Sequence, residues 1–331
     1  MPTIVPYTYE KKEDKQIFFT SILKNMKILI ATEKPFAPAA VKSIREILEK
    51  ESYEVQTLEK YTDKNSLLLS VEDVDALIVR SDKITRDVIE AARNLKLIVR
   101  AGAGYDNIDL KAATERGIVV MNTPGQNSNA VAELAICMMI FISRNLLTPG
   151  TGGEIASKTL GIQAYGNVGR LVGRKAKALG MNVIAYDPFI TDNALFEADG
   201  VRKVDSLEEL YSSSDFLSLH IPATPKTIRS INYDILKLMP KGATLVNTAR
   251  KEVIDEEGLI ALMSEREDFR YVTDIAPLRN EEFQEKFPKR FFSTPKKMGA
   301  ETREANFNAG VAAANPIVGF FKHGDRKFQV K

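Results

Sequence analysis

The sequence predicts an α/β protein made of two doubly wound parallel-sheet domains, and three observations carry that expectation. Short β-branched runs alternate with amphipathic stretches from residue 27 onward. An apolar segment and a breaker-rich loop interrupt the alternation near the middle of the chain. A second alternating series then begins and runs almost to the C-terminus.

The first series contains KILIAT (27–32), YEVQTL (53–58), DALIVRS (75–81), LKLIVRAG (95–102) and GIVVMNT (117–123). Helix-like stretches such as AAVKSIREILEKE (39–51) and ITRDVIEAARN (84–94) separate them. Apolar strands between amphipathic helices indicate a parallel sheet covered on both faces. SNAVAELAICMMIFISRN (128–145) is apolar around most of its circumference and reads as a buried helix, so its methionines are expected in the core. TPGTGG (148–153) follows as a loop.

The second series begins at TLGIQAYGNVG (159–169) and continues through NVIAYD (182–187), FLSLHIP (216–222), TLVNTAR (244–250) and YVTDIAP (271–277). A long helical pattern, 301–323, closes it. Pro316 lies within that pattern. Proline removes a backbone hydrogen bond and crowds the preceding turn, so a kink or break is expected within about one turn before it.

Composition narrows the function. The chain has 331 residues, 44% hydrophobic and 27% charged, which is a globular profile with room for two domains. Lys plus Arg number 46 against 44 for Asp plus Glu. That balance gives no basis for a nucleic-acid or anionic-membrane partner. The single cysteine, Cys137, excludes an internal disulfide framework and suits a reducing compartment. Residues 1–25 mix Lys with Glu10, Glu13 and Asp14 and lack Arg. They read as an extension ahead of the first domain rather than as a transit peptide or secretory signal.

Ala164-Tyr165-Gly166-Asn167-Val168-Gly169 follows a strand and opens a helix. In the dinucleotide fingerprint one glycine makes a tight turn, the next admits the pyrophosphate, and the third lets helix and strand approach. Here Ala164 takes the first place, while Gly166 and Gly169 keep theirs. Asp187 ends the following strand, where a carboxylate can accept hydrogen bonds from ribose hydroxyls. A turn or cap before Pro188 is the other use of that carboxylate. No Lys or Arg directly follows it to receive the extra phosphate of NADP. The pair of signals points to NAD. There is no phosphate loop of the G-x-x-x-x-G-K-[ST] kind, no H-E-x-x-H pair and no spaced cysteines, so no metal site is expected.

Four further motifs carry a family resemblance: RAGAGYDNIDL (100–110), MNTPGQNSNAVAEL (121–134), SLHIPATPKT (218–227) and LVNTARKEVIDEEGL (245–259). In these the chain resembles the D-isomer-specific 2-hydroxyacid dehydrogenases, and among them the short D-3-phosphoglycerate dehydrogenases. The resemblance covers residues 26–331. It implies a flavodoxin-like substrate-binding domain (26–124 and 303–331) and a Rossmann NAD-binding domain (125–302). It also implies NAD as cofactor, a small 2-hydroxy acid such as 3-phosphoglycerate as substrate, a homodimer and a cytoplasmic location. Besides Tyr165, Gly166, Asn167, Val168 and Asp187, it places Pro222, Thr227, Thr248, Ala249, Asp274 and Gly299 at the cofactor.

For the chemistry, the family uses an Arg that binds and polarises the substrate, and a His supported by a Glu. Arg250 in NTAR matches the Arg; a guanidinium can hold a carboxylate bidentately and stabilise charge on the C2 oxygen. His220 and His323, the two histidines, both lie outside the segment where the family His falls. Counting back from Gly299 puts Lys297 at that position, whereas counting forward from Pro295 puts Lys296 there. GAET resembles the family's continuation, so the downstream anchor selects Lys297. The Glu position falls at about Arg279. The two departures are physically consistent. A lysine starts near pKa ~10.4 and must fall to act as a base near neutrality. A Glu beside it would raise it, whereas burial and the positive charge of Arg250 would lower it.

The resemblance further places backbone amides of Ala101, Gly102 and Ala103 at the substrate carboxylate, Arg80 and Ser81 toward the phosphate, and Asn122 at a strand end facing the cleft. Two alternatives stay open. One is a hydroxypyruvate or glyoxylate reductase with the same machinery. The other is a protein that binds the dinucleotide without chemistry.

Overall fold

The computed structural model describes residues 26–330; the expected extension at residues 1–25 lies outside them. The chain divides into two compact units, one containing residues up to Pro124 together with Phe307 onward, the other running from Gly125 to Asn306.

In the first unit the order is β1 (Lys27–Thr32), α1 (Pro38–Glu49), β2 (Glu54–Glu59), α2 (Lys64–Ser70), β3 (Ala76–Val79), α3 (Arg86–Ala91), β4 (Leu97–Arg100), α4 (Leu110–Glu115) and β5 (Val119–Asn122). The five strands form one sheet in the order β2-β1-β3-β4-β5, and every pairing is parallel. Strand residues alternate between two cores. Ile28, Ile30, Ile78 and Val99 pack on one face with Ile44 and Leu48 of α1 and with Ala313, Ala314 and Ile317. Leu29, Leu77, Val79 and Ile98 pack on the other with Leu67 of α2, Val88 and Ile89 of α3, and Ala112 of α4. Burial of one such aliphatic side chain contributes roughly 1.5–3 kcal/mol, so each two-sided strand is strongly specified. The winding reverses between β1 and β3, and ligands bind beyond the strand ends at such a switch point.

The second unit contains α5 (Ser128–Ser143), β6 (Thr159–Gln163), α6 (Asn167–Ala178), β7 (Asn182–Tyr186), α7 (Ala194–Ala198), β8 (Arg202–Lys203), α8 (Leu207–Ser212), β9 (Phe216–Leu219), α9 (Tyr233–Leu236), β10 (Thr244–Asn247), α10 (Glu256–Glu265), β11 (Arg270–Thr273), α11 (Asn280–Lys286) and β12 (Phe291–Ser293). Its sheet has the order β12-β11-β10-β9-β6-β7-β8, again with parallel pairings. The switch point lies between β6 and β9. Met138 and Met139 of α5 are buried with Leu160, Ile162 and Val172, as core side chains. Cys137 and Ile140 remain exposed, so α5 is buried along one broad face rather than all round.

Of the kink or break expected at Pro316, α12 (Arg303–His323) shows no break: the helix runs through the proline. Packing supplies the reason. Ala313, Ala314 and Ile317 are fully buried beside it. A Cβ added at Gly310 would stand 3.0 Å from the Phe36 ring, so the helix already lies close against its neighbour. Those contacts outweigh one lost hydrogen bond and one crowded turn.

Candidate active site

The dinucleotide turn of the second unit follows from its sequence. Ala164 adopts φ +74°, the left-handed conformation that normally calls for glycine. Gly166 is the N-cap of α6 and carries no side chain over the helix start. The first amides of a helix have no partner within it, so this end is suited to an anion. Gly169 must be glycine, because a Cβ there would stand 2.3 Å from the Ala164 carbonyl oxygen. Asn167, exposed at the first position of α6, lies beside Gly125.

Two expected contacts change character. The Tyr165 ring is buried and stacks on Phe196 at 4.7 Å, with its hydroxyl 3.1 Å from Asp199 Oδ2. Its side chain is therefore core, and what it presents at the turn is backbone. The Asp187 carboxylate accepts from the Tyr165 amide through Oδ2 and from the Phe189 amide through Oδ1, each at 2.9 Å. It holds the turn together. Each oxygen keeps a second lone pair with which a ribose hydroxyl could be met.

Beyond β9, Thr227 Oγ1 donates to the Pro222 carbonyl at 2.5 Å and accepts from the Thr224 amide at 2.8 Å. The hydroxyl thus shapes the loop, while Pro222 is exposed at its start. His220 lies at the end of the same strand with Nε2 3.0 Å from Ser218 Oγ. Burial pushes its pKa down to about 3, so the imidazole is neutral near pH 7 and cannot serve as an acid–base group there.

The lysine and the arginine meet beyond β10. Asn247, fully buried at the strand end, accepts from the Ala249 amide at 3.0 Å and donates to the Arg250 carbonyl at 2.9 Å. This Asx turn fixes the path of Thr248, Ala249 and Arg250. Arg250 Nη1 donates to the Ala249 carbonyl at 3.0 Å, and Lys297 Nζ donates to the same oxygen. Lys296 is exposed. Asp274 is fully buried after β11; its Oδ2 accepts from the Gly299 amide at 2.9 Å. Burial raises the Asp274 pKa, whereas the positive charges of Lys297 and Arg250 pull it down. Arg279, near which the resemblance leads one to expect a Glu, pairs with Glu282 at 2.6 Å.

Among the described residues, two buried oxygens in this region have no hydrogen-bond partner: Asp274 Oδ1 and Thr248 Oγ1. A buried polar atom without a partner costs about 1–3 kcal/mol, so both are suited to a ligand that donates to them. The residues present therefore fit a dinucleotide carrying a carboxamide and hydroxyls.

In the first unit, the expected amide cup needs correction. The Ala101 amide donates to the Val79 carbonyl at 2.8 Å and the Gly102 amide to Thr123 Oγ1 at 2.6 Å. The sheet and Thr123 have already taken both donors, which leaves the loop at Ala103 as the accessible part of the segment. Asn122 Nδ2 donates to the Ala103 carbonyl at 2.7 Å and so orients that loop. Arg80 lies at the switch point, with Nη1 donating to the carbonyls of Lys34 and Pro35 at 3.1 and 3.2 Å. Its guanidinium also sits 5.4 Å from the Phe36 ring centroid. Ser81 is exposed next to it.

Sequence reasoning missed Asn247 and Asp82. Asp82 is buried and accepts from the Glu33 amide at 2.6 Å, the Tyr61 hydroxyl at 2.7 Å and the Arg80 amide at 3.1 Å. Asn247 had a readable signal, an Asn at a strand end before a turn. Asp82 had none, because two of its three partners, Glu33 and Tyr61, come from distant segments.

Residues 145–296 match the family description "D-isomer specific 2-hydroxyacid dehydrogenase, NAD binding domain". The chain is 41% identical over 276 residues to a D-3-phosphoglycerate dehydrogenase of Methanocaldococcus jannaschii, covering 77% of this chain and 51% of that protein. It is 42% identical over 227 residues to a hydroxypyruvate reductase of Thermotoga maritima, covering 64% of this chain and 72% of that protein. The crystal structure of NAD+-bound 3-phosphoglycerate dehydrogenase from Entamoeba histolytica superposes with TM-score 0.84 and 51% identity, covering 93% of this chain and 99% of that one. The chain spans about half the length of the curated D-3-phosphoglycerate dehydrogenases it matches. A pair of parallel doubly wound sheets with a dinucleotide turn in the second defines a dinucleotide-binding α/β protein. The chain belongs to the D-isomer-specific 2-hydroxyacid dehydrogenase family.

Proposed function

We propose that the chain oxidises 3-phospho-D-glycerate to 3-phosphohydroxypyruvate with NAD. The observation that carries this reading is the convergence of Lys297 and Arg250 on the Ala249 carbonyl oxygen. NAD, when bound, would supply the acceptor for the hydride from C2 of the substrate. Lys297 in its neutral form takes the hydroxyl proton, and Arg250 binds the carboxylate and stabilises charge on the C2 oxygen. Arg80 and Ser81 hold the phosphate, and the Ala103 loop, oriented by Asn122, meets the carboxylate end. Gly166, Asn167 and Val168 would receive the pyrophosphate, Asp187 a ribose, and Asp274 and Thr248 the nicotinamide end, with Pro222, Thr227, Ala249 and Gly299 shaping the walls.

In this reading residues 125–302 form the nucleotide domain, and residues 26–124 with 303–331 the substrate domain. The same reading makes the protein a cytoplasmic homodimer by resemblance to the family. Among the described residues no helix is long and apolar enough to cross a membrane. Names of relatives at 36–41% identity and of the Entamoeba histolytica structure support the substrate. A second reading, reduction of hydroxypyruvate, is favoured by the Thermotoga maritima relative. NADH formation from 3-phospho-D-glycerate, measured beside D-glycerate, tests the proposal. Turnover that depends on the phosphate supports it, and equal turnover of both compounds selects the second reading. Dinucleotide binding with no turnover of either compound or of hydroxypyruvate overturns both.

A further inference from the structure

We propose that Asp82 is a positioning residue for recognition of the substrate's phosphate: its buried carboxylate ties the ends of β1, β2 and β3 together and so fixes the direction in which Arg80 is presented. The inference rests on the reading of Arg80 as a residue that holds the phosphate, and adds to it the group that aims the arginine.

Asp82 is set apart by its burial. It is 2% exposed, and among the described residues of the first unit it is the one charged side chain that is buried. A carboxylate leaves water at little cost only where hydrogen bonds replace the water it loses. Here they come from three strand ends. The Glu33 amide, directly after β1, donates to Oδ1 at 2.6 Å. The Tyr61 hydroxyl, just past β2, donates to the same oxygen at 2.7 Å. The Arg80 amide, directly after β3, donates to Oδ2 at 3.1 Å. Burial, and after it the bond to Asp82, raise the Tyr61 pKa, so the phenol keeps the proton it donates. The three strands are neighbours at the point where the winding of the sheet reverses, and ligands of open parallel sheets bind beyond such ends.

These bonds close a ring through Arg80. Its main-chain amide is tied through Asp82 to Glu33. Its guanidinium donates through Nη1 to the carbonyls of Lys34 and Pro35, the next two residues, and lies against the Phe36 ring. Both ends of Arg80 therefore depend on one short loop, 33–36, and Asp82 is the link between that loop and the arginine's own backbone. The carbonyl side is closed as well. Arg100 Nε and Asn107 Nδ2 donate to the Arg80 carbonyl at 3.0 and 3.3 Å, and Asn107 Nδ2 also donates to the Asp82 carbonyl at 2.7 Å. A guanidinium is a planar fork, so holding one nitrogen and one face sets the direction of the whole group. Bidentate recognition of a phosphate needs that direction. An ionised carboxylate accepts at both oxygens, whereas a side-chain amide accepts at one and donates at the other end. In Asp82→Asn, either the Arg80 amide or the Glu33 and Tyr61 pair therefore loses its acceptor.

The test is a double-mutant cycle of Asp82→Asn and Arg80→Ala in the full chain, read as KM for 3-phospho-D-glycerate, kcat and KM for NAD. Partial unfolding lowers the active fraction and with it the apparent kcat but leaves KM where it was, so a change in KM reports aim rather than stability. Asp82→Asn should raise KM for 3-phospho-D-glycerate about tenfold, as for the loss of one hydrogen bond to a charged group, with kcat and KM for NAD within about twofold of wild type. Arg80→Ala should raise it by as much or more. The double variant should be no worse than Arg80→Ala alone, since no guanidinium is left to aim. Should Asp82→Asn not fold, Tyr61→Phe removes one of the three ties and should raise the same KM about two- to fivefold, again only where Arg80 is present. An unchanged KM in the Asp82 or Tyr61 variant beside a raised KM in Arg80→Ala overturns the inference and leaves the phosphate reading standing. An equal rise with and without Arg80 also overturns it, because Asp82 would then act by another route. An unchanged KM in Arg80→Ala overturns the phosphate reading, and the inference with it.

Discussion

The Lys297 ammonium and the Arg250 guanidinium share one acceptor, the carbonyl oxygen of Ala249. Two cations at one oxygen repel each other, and repulsion favours loss of a proton from the group that can lose it. Arginine keeps its proton throughout the accessible range, so in the proposed mechanism the lysine is the one that yields. The Asx turn at Asn247 creates the arrangement by directing the Ala249 carbonyl and the Arg250 main chain. Asn247→Ala should therefore lower kcat about tenfold or more while disturbing the KM for NAD less, because it loosens the base and its neighbour together. Steady-state kinetics on the variant check this; an unchanged kcat would sink the positioning role of Asn247.

Asp187 holds the dinucleotide turn and, in the proposed function, meets a ribose, and one substitution should test both. Asp187→Ala leaves the amides of Tyr165 and Phe189 without their acceptor, at a cost of about 1–3 kcal/mol for a buried donor. Urea denaturation should show that loss, and the preference for NAD over NADP should weaken. A carboxylate about 4 Å from a 2′-phosphate costs ~4 kcal/mol at an effective dielectric near 20. Wild-type protein that uses NADP as well as NAD would contradict the assignment.

Ala164 occupies φ +74°, where a Cβ costs roughly 1–2 kcal/mol. Glycine removes that strain but gives up about 0.4–1 kcal/mol through the unfolded chain. Ala164→Gly should thus be neutral to stabilising by up to about 1 kcal/mol, unusual for a glycine substitution. Thermal denaturation measures it, and a clear drop in Tm would show that the alanine methyl group packs favourably.

His220 predicts a pH dependence of stability. Its folded pKa, about 3, lies below the ordinary value of 6.5. Between those values the unfolded chain binds a proton that the folded one refuses, so stability falls as pH drops below about 6.5. The slope from this group is about 1.4 kcal/mol per pH unit. His220→Asn should show a shallower decline from pH 6.5 to about 4 in urea titrations. Parallel declines in the two proteins would mean that His220 is protonated in the fold.

Much of this architecture was legible in the sequence because a parallel strand covered on both faces reads as a continuous apolar run. KILIAT (27–32) coincides with β1 residue for residue. β8 and β12 escaped notice, since two and three residues at a sheet edge leave no pattern to read. Of the kink or break expected at Pro316, the break is absent for a tertiary reason, the packing of Ala313, Ala314 and Ile317. At the site, residue identities were visible in NTAR and TPKKMGAET. Hydrogen-bond partners were not. The sequence could not tell that Val79 and Thr123 take the Ala101 and Gly102 amides, nor that the Tyr165 ring lies in the core.

The register of the lysine decides the mechanism. Lys297 reaches the Ala249 carbonyl, whereas Lys296 is exposed. The most direct measurement is therefore turnover of 3-phospho-D-glycerate by wild type, Lys297→Ala and Lys296→Ala at one pH, with NAD binding by each variant as the control for folding. Loss of one acid–base group should lower kcat about 10²–10⁴-fold in Lys297→Ala with NAD binding retained, while Lys296→Ala stays near wild type. An active enzyme in which Lys297→Ala turns over normally would contradict the account.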